Sequence, residues 1–414
     1  MFKQLKAVHW VWIFLFLDLT AFWIQSSSSG TMHYAQAYRV AMLSISGSLI
    51  IALVAQKPNA TGWLFRSPLI FYWLFALYSV VSTIYSSHPI YTAWKGIELT
   101  LLGLAAALVL ERSTNDNIKN ISILYLLLMR LLRIVLIAAW VYAIIFPEKG
   151  FPKHVGSLGY MMQGLLNSNS LGAVAAIVGI HSFSSITNRK GTKIMHSFFF
   201  ILSVTTLIMA YSRTSIIGFA VAFIVFSFFS KKIILSVLAT VMVLVVSLSN
   251  TALNSLFGFL SRGQSLGGLR GMSGRAETWE KAIKYFLESP YYGHGHMSAG
   301  RYDVLENASS HLHGTPIEIM VGLGIIGLVL WLMFIVITGI NLLKLKDIRV
   351  PSIKNYTFRA ELLALFSYLI VRSGTSSILA MHSFELMVFV CISCFTMARI
   401  QFANATGELI PKNT

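Results

Sequence analysis

Apolar stretches of roughly 17 to 25 residues, the length needed to cross a bilayer core of about 30 Å as a helix, recur along the whole chain with only short polar breaks between them. In lipid such a stretch has little choice but to be helical, because no water is present to satisfy its peptide groups. Twelve spans are predicted, at residues 7–25, 35–55, 67–86, 90–110, 121–147, 170–187, 194–211, 215–230, 233–250, 315–343, 360–378 and 383–400. A composition of 56% hydrophobic and 11% charged residues, with a mean hydropathy of +0.71, excludes a soluble core as the home of so much apolar surface. The expected fold is therefore an all-α polytopic membrane protein, a single integral membrane domain over residues 1–414. Internal repeats and long linkers are absent.

The first span follows Lys3 and Lys6, but it carries Asp18 and runs into a Ser-Ser-Ser-Ser-Gly stretch without a small-residue cleavage site. It reads as an uncleaved helix rather than a secretory signal. Lys3, Lys6, Lys57, Arg66, Arg112, Lys119, Arg189, Lys190, Lys193, Lys231, Lys232, Lys344 and Lys346 all fall on one side of the predicted spans. By the positive-inside tendency that side and both termini are cytoplasmic. The net charge of +17 is then mostly topology and attraction to anionic membrane lipids, not a nucleic-acid footprint. Cys391 and Cys394 share a face of the last span without a second ligand pair, so neither a metal nor a redox site is expected there.

One segment breaks the pattern. Residues 251–314 form the only long polar connection, and the helix count places it outside. It holds Arg262, Arg270, Arg275, Lys281, Lys284 and Arg301 with His294, His296, His311 and His313. Cations this dense on the outer side run against the charge rule, and an anionic ligand would account for them. Within the loop, residues 275–288 put Trp279, Ile283, Phe286 and Leu287 on one face and Glu280, Lys281, Lys284 and Glu288 on the other, which predicts an amphipathic helix at the membrane interface. At the end of the loop Thr315, Pro316 and Glu318 have the spacing of a capping box, which would make Glu318 a helix cap and leave His313 just outside it.

Two more helices are predicted to begin at the outer surface, after Asn169 and in the tight turn holding Ser212, Arg213 and Thr214. Helix N-termini carry unpaired N–H groups and about half a positive charge, which attract phosphate. If these ends converge they make a cationic cup, and a guanidinium such as Arg213 suits a diphosphate because its fork binds two oxygens and never loses its charge. His313, at a polar mouth beside a helix start, is the candidate general base, with His311, His294 and His296 ranked below it. The outer face has no HExxH, carboxylate pair or D-x-D, so no metal or other cofactor is expected. Asp18, Glu98, Arg130, Arg133, Arg372 and Glu385 fall inside spans and keep a transporter of a lipid-linked anion open as a second class. Arg130 and Arg133 are expected to share a helix face that could line a lipid-phosphate groove or pair with Asp18 or Glu98.

Four elements, NSNSLG at 167–172, SRTS at 212–215, SGRAETW at 273–279 followed by SPYYGHG, and HLHGTPIEIMVGLGIIGL at 311–328, resemble the O-antigen ligase and polymerase superfamily in order and spacing. The resemblance covers roughly residues 165–330 and makes His313 the family histidine, with Gly324 and Gly327 the family glycines. It implies a metal-independent, GT-C-like glycosyltransferase of the bacterial inner membrane, with residues 251–314 as a periplasmic loop containing short helices. The donor would be an undecaprenyl-diphosphate-linked glycan. The acceptor would be a lipid-linked repeat unit in a polymerase or lipid A-core in a ligase, and the SGRAETW stretch leans to the O-antigen and exopolysaccharide polymerases. By the motif match Arg213 and Arg275 hold the diphosphate and His313 activates the acceptor hydroxyl; Asn169, His311 and Arg270 join them as candidate substrate-binding residues. One departure is Gly314, where the family usually has Asn after the histidine, which leaves His311 as the neighbour to supply the missing hydrogen bond.

Overall fold

The computed structural model describes residues 5–21, 29–115, 119–152, 161–188, 193–230, 275–306, 311–345 and 357–406, and among these every regular element is helical. The predicted ninth span and residues 251–274 of the long polar connection lie outside the described residues. In chain order the principal helices are α1 (Ala7–Leu19), α2 (Ser29–Gln56), α3 (Leu69–Val81), α4 (Pro89–Asn115), α5 (Lys119–Ile145), α6 (Ser168–Asn188), α7 (Lys193–Met209), α8 (Arg213–Phe229), α9 (Arg275–Glu288), α10 (Thr315–Lys344), α11 (Thr357–Ser373) and α12 (Phe384–Thr406). Each of the other eleven predicted spans coincides with one of these. Six stretches are long and apolar enough to cross a membrane: Tyr34–Gln56, Pro89–Arg112, Lys119–Ile145, Ser168–Thr187, Thr315–Lys344 and Phe384–Asn404. A seventh is obtained if the 3-10 helix Pro58–Phe65 and Leu69–Tyr85, bent by 97° at their junction, count as one broken span. The chain is a polytopic membrane protein on this architecture.

The chain divides into two compact units. The first comprises Met1–Leu127, Glu277–Arg349 and Ser373–Thr414, the second Leu128–Ala276 and Val350–Arg372. In the first, α1 packs on α2 and α4, α3 on α4 and α10, and α12 on α4 and α10. In the second, α6 packs on α7 and α8.

Burying ionisable side chains in such a bundle is costly unless they pair. In the first unit Asp18 and Glu98, both fully buried, are joined by Arg39: its Nε lies 3.2 Å from Asp18 Oδ1 and its Nη2 2.5 Å from Glu98 Oε1. Lys95 Nζ (2.9 Å) and the indole N–H of Trp94 (2.6 Å) complete the Glu98 carboxylate. Arg130 and Arg133, expected to share a face, have different surroundings. Arg130 is exposed, whereas Arg133 is buried and bonds Ser182 Oγ (3.4 Å) and His196 Nδ1 (2.9 Å). Three apart, the two are neighbours on the helix surface, and only Arg133 falls on the packed side.

Helix α10 is not one continuous rod. At Gly324 the backbone turns to φ 63°, ψ −163°, breaking it into two pieces. The loop 289–295 closes the break: Val321 and Gly322 carbonyls accept from the N–H groups of His294 (3.0 Å) and Gly295 (2.9 Å), and Ile325 N–H donates to Pro290 O (2.9 Å). A Cβ on Gly324 would strike the Tyr291 carbonyl, and one on Gly293, at φ +71°, would lie 2.5 Å from the Gly322 carbonyl carbon. Glycine is required at both positions, by backbone conformation and by contact.

Glu98→Ala would leave Arg39 and Lys95 without their shared partner in an apolar interior, so a loss of about 3–5 kcal/mol is expected. Glu277→Ala, which removes only an exposed pair with Lys281, should cost less than about 0.5 kcal/mol. Denaturant unfolding of the detergent-solubilised protein measures both.

Candidate functional site

In the second unit the NSNS and SRTS motifs start neighbouring helices. Asn167, not Asn169, caps α6: its Oδ1 accepts from Ser170 N–H at 2.8 Å. Asn169 sits inside the first turn, where its Oδ1 accepts from Ser212 Oγ (3.2 Å), and Ser212 Oγ also bonds Ser215 Oγ (2.9 Å). Gly172 allows this approach, since a Cβ there would lie 2.7 Å from Ser212 Cβ. Arg213 is the first residue of α8 and is half-buried.

What ties the two helix starts together is Arg372, from the end of α11, whose side chain is only 2% exposed. Its Nη1 donates to Ser215 Oγ (2.8 Å) and Thr214 Oγ1 (3.3 Å), and its Nη2 to the Asn169 carbonyl (2.9 Å). The fork of a guanidinium spans both helices at once, which an ammonium cannot do. Two helix N-termini and two guanidiniums, Arg213 and Arg372, thus gather at one end of this unit, an arrangement that favours an anion.

In the first unit the helix α9, at the expected residues, buries Ala282 and Phe286, with Leu312 and Val321 in the same apolar cluster. Ile283 and Leu287, on the apolar face expected to lie at the membrane interface, are 47% and 65% exposed. The buried stripe runs through Trp279, Ala282 and Phe286, at spacings of three and four. Trp279 Nε1 donates to the Leu312 carbonyl at 2.7 Å, so α9 grips the segment that carries His313.

His313 itself is exposed and has φ +57°, a left-handed conformation that a non-glycine residue adopts only when its surroundings impose it. The capping box expected after it is not formed. Gly314, not Thr315, is the N-cap; Thr315 Oγ1 donates to Ser376 O (2.7 Å) and accepts from Leu379 N–H (3.3 Å). Glu318, fully buried, passes over the cap to accept from Leu312 N–H and from Ser377 Oγ, both at 3.0 Å. A chain turning in left-handed at His313 brings Leu312, rather than the cap residue, within reach of the Glu318 carboxylate.

His311 bonds Arg301 Nη2 through Nε2 at 3.2 Å, and Arg301 lies over the Tyr91 ring. A guanidinium only donates, so Nε2 accepts and the ring is neutral with its proton on Nδ1. Burial, helped by Arg301, pushes its pKa down to about 3, and burial does the same for His296. Gly314 has an extended backbone, and a Cβ there would come no closer than 3.4 Å to Trp279, so the place of the usual asparagine is sterically open.

Of the six candidate residues, Asn169 and Arg213 are brought together in the second unit, while His311 and His313 lie two apart in the first. Arg270 lies outside the described residues, as does the side chain of Arg275, the first residue of α9. Sequence reasoning left Arg372 without a role. The signal was an arginine inside a predicted span, in a chain whose SRTS turn offers three hydroxyls. Arg39 was passed over entirely, although a lone arginine in an apolar span calls for an acid such as Asp18 or Glu98.

Residues 198–332, about a third of the chain, match the family model described as O-antigen ligase, which supports the O-antigen ligase and polymerase superfamily. No curated protein matches the chain.

Arg372→Lys should lose part of the bridge to Asn169 and Ser215 and cost about 1.5–3 kcal/mol, against less than about 0.5 kcal/mol for Arg130→Lys, read by unfolding in detergent. The depressed histidines give a second expectation. Each binds a proton on unfolding but not when folded between about pH 3 and 6.5, so stability falls as pH drops through that window. His311→Gln should flatten the dependence of unfolding temperature on pH.

Proposed function

For a chain that carries an O-antigen ligase domain within the O-antigen ligase and polymerase superfamily, we propose a metal-independent, GT-C-like glycosyltransferase that moves a glycan from undecaprenyl diphosphate to a sugar hydroxyl. The observation that carries it is the pair of helix N-termini at Asn169 and Arg213, cinched by the buried Arg372. Such an end neutralises a diphosphate with fixed dipoles and permanent charges, and so needs no metal cation to do it. Arg213, with Arg275 and Arg270 from the large loop, holds the leaving diphosphate. His313 takes the proton from the acceptor hydroxyl as its oxygen attacks the anomeric carbon. The bond from that carbon to the phosphate oxygen breaks, and its electrons leave with undecaprenyl diphosphate.

The proposal places twelve spans in the bacterial inner membrane, with both termini cytoplasmic, anionic lipids around the basic inner loops and the reaction at the periplasmic face. The acceptor is a lipid-linked repeat unit, which makes the enzyme a surface-polysaccharide polymerase for O-antigen or exopolysaccharide. Ligation of finished polymer to lipid A-core is the second reading, favoured by the description of the matching family model. Surface glycans of a deletion strain separate them: core capped with single repeats for a lost polymerase, accumulated lipid-linked polymer for a lost ligase. Transport of a lipid-linked anion was suggested by charges inside the spans, but pairing of Asp18 and Glu98 with Arg39 gives those two acids a structural account.

Purified protein given undecaprenyl-diphosphate oligosaccharide and acceptor should release undecaprenyl diphosphate, with EDTA without effect. Arg213→Lys keeps the charge but loses the fork, so donor affinity should fall nearly as far as in Arg213→Ala. His313→Ala should lower the single-turnover rate by about 10² to 10⁴ with donor affinity largely retained. An Arg213→Lys variant with wild-type donor affinity, or a His313→Ala variant with a normal saturated rate, refutes the roles assigned. Cysteines introduced at Gly267 and Lys346, in a background lacking Cys391 and Cys394, test the topology. The first should label with an impermeant thiol reagent from outside and the second should not.

A further inference from the structure

We infer that Glu318 is a positioning residue for His313, acting through the backbone of Leu312. This rests on the reading of His313 as the proton acceptor. Both polar groups of Leu312 are tied to buried or half-buried side chains: its N–H to Glu318 Oε2 at 3.0 Å and its carbonyl to Trp279 Nε1 at 2.7 Å. On the other side of His313, the Gly314 carbonyl accepts the Glu318 N–H at 2.9 Å, and Thr315 Oγ1 is locked to Ser376 and Leu379. His313 is thus the one residue between two anchored peptide groups, and its left-handed φ of +57° is the conformation that joins them.

A carboxylate is an expensive way to accept one N–H bond. Glu318 is only 1% exposed and its bonds come from the Leu312 N–H and the Ser377 hydroxyl, while Oε1 has no partner among the described residues. Burying a half-satisfied carboxyl costs stability rather than adding it. It is explained if the group fixes a strained conformation that function uses, since such strain persists only where the surroundings over-determine it. Gly300 reinforces the arrangement. A Cβ there would lie 2.6 Å from Oε1, so the irregular turn Ala299–Val304 closes directly over the carboxyl.

The test uses the full chain in nanodiscs, with Glu318→Ala and Glu318→Gln made alone and in a His313→Ala background. Glu318→Ala should lower the single-turnover rate at saturating donor about 10- to 100-fold, the scale of a misplaced catalytic group, with donor KM changed less than about twofold. Glu318→Gln keeps an oxygen for the Leu312 N–H and should stay within about threefold of wild type. In the His313→Ala background Glu318→Ala should add less than about twofold, because a residue that acts through His313 has nothing left to position. Amide exchange of the 311–315 peptide should quicken in Glu318→Ala and not in Glu318→Gln. Should Glu318→Ala not fold, Ser377→Ala gives the same pattern at smaller amplitude. Full multiplication of the two alanine effects, or unchanged exchange in Glu318→Ala, overturns the inference. If wild type turns over no lipid-linked glycan while exchange responds as expected, the proposed reaction falls and the hold on Leu312 stands.

Discussion

A helix that breaks inside a membrane-spanning segment leaves peptide groups that lipid cannot satisfy, and the break at Gly324 is the constraint on which the approach to α10 depends. The loop 289–295 supplies the missing donors and acceptor, so it must lie against α10 along its own backbone. That requirement fixes two glycines, Gly293 and Gly324, and it sets the end of α9, whose last residues lead into the loop. Once α9 is held, Trp279 reaches Leu312, and the segment before α10 has its path determined. The His313 conformation is the last consequence of a sequence that begins with an unsatisfied carbonyl.

The same accounting governs the charges. Asp18, Glu98, Arg39 and Lys95 satisfy one another in the first unit, and Arg372 in the second spends its N–H groups on hydroxyls and a carbonyl. Arg372 therefore ties the helix ends at Asn169 and Arg213 together, and a single substitution of it touches both.

Helices were legible because a bilayer-length apolar run has no alternative: eleven of the twelve predicted spans coincide with helices, and α9 occupies the predicted residues 275–288. The break in α10 was not, since the stretch through Gly322, Gly324 and Gly327 is as apolar as any helix and periodicity does not distinguish a rod from two halves. Nor was the partner of Glu318. The Thr-Pro-Ile-Glu spacing fits a capping box, and only the left-handed turn at His313 carries the carboxyl past the cap to Leu312. Asn169 was placed in the right motif with the wrong role, because Asn167 two residues earlier is an equally good cap and only the helix start decides between them. Local pattern specified the elements; what it left open were contacts between segments far apart in the chain, such as Arg372 with Ser215.

Under the proposed reaction the two chemical tasks place opposite demands on structure, and the chain meets each with a different kind of backbone. Neutralising a diphosphate needs dipoles and charges that do not reorganise as the bond breaks, which regular helix starts supply because their N–H groups are held by the helix behind them. Taking a proton needs an accessible side chain aimed by something stiffer than its own rotamers. His313 is exposed, but the peptide groups on either side of it are anchored by buried side chains and by the start of α10. Exposure and rigidity are normally in conflict, since loop residues that reach solvent are the freest in a fold. Here the conflict is resolved by putting the rigidity into the flanking residues, with Leu312 and Gly314 held by Glu318 and Thr315 by Ser376.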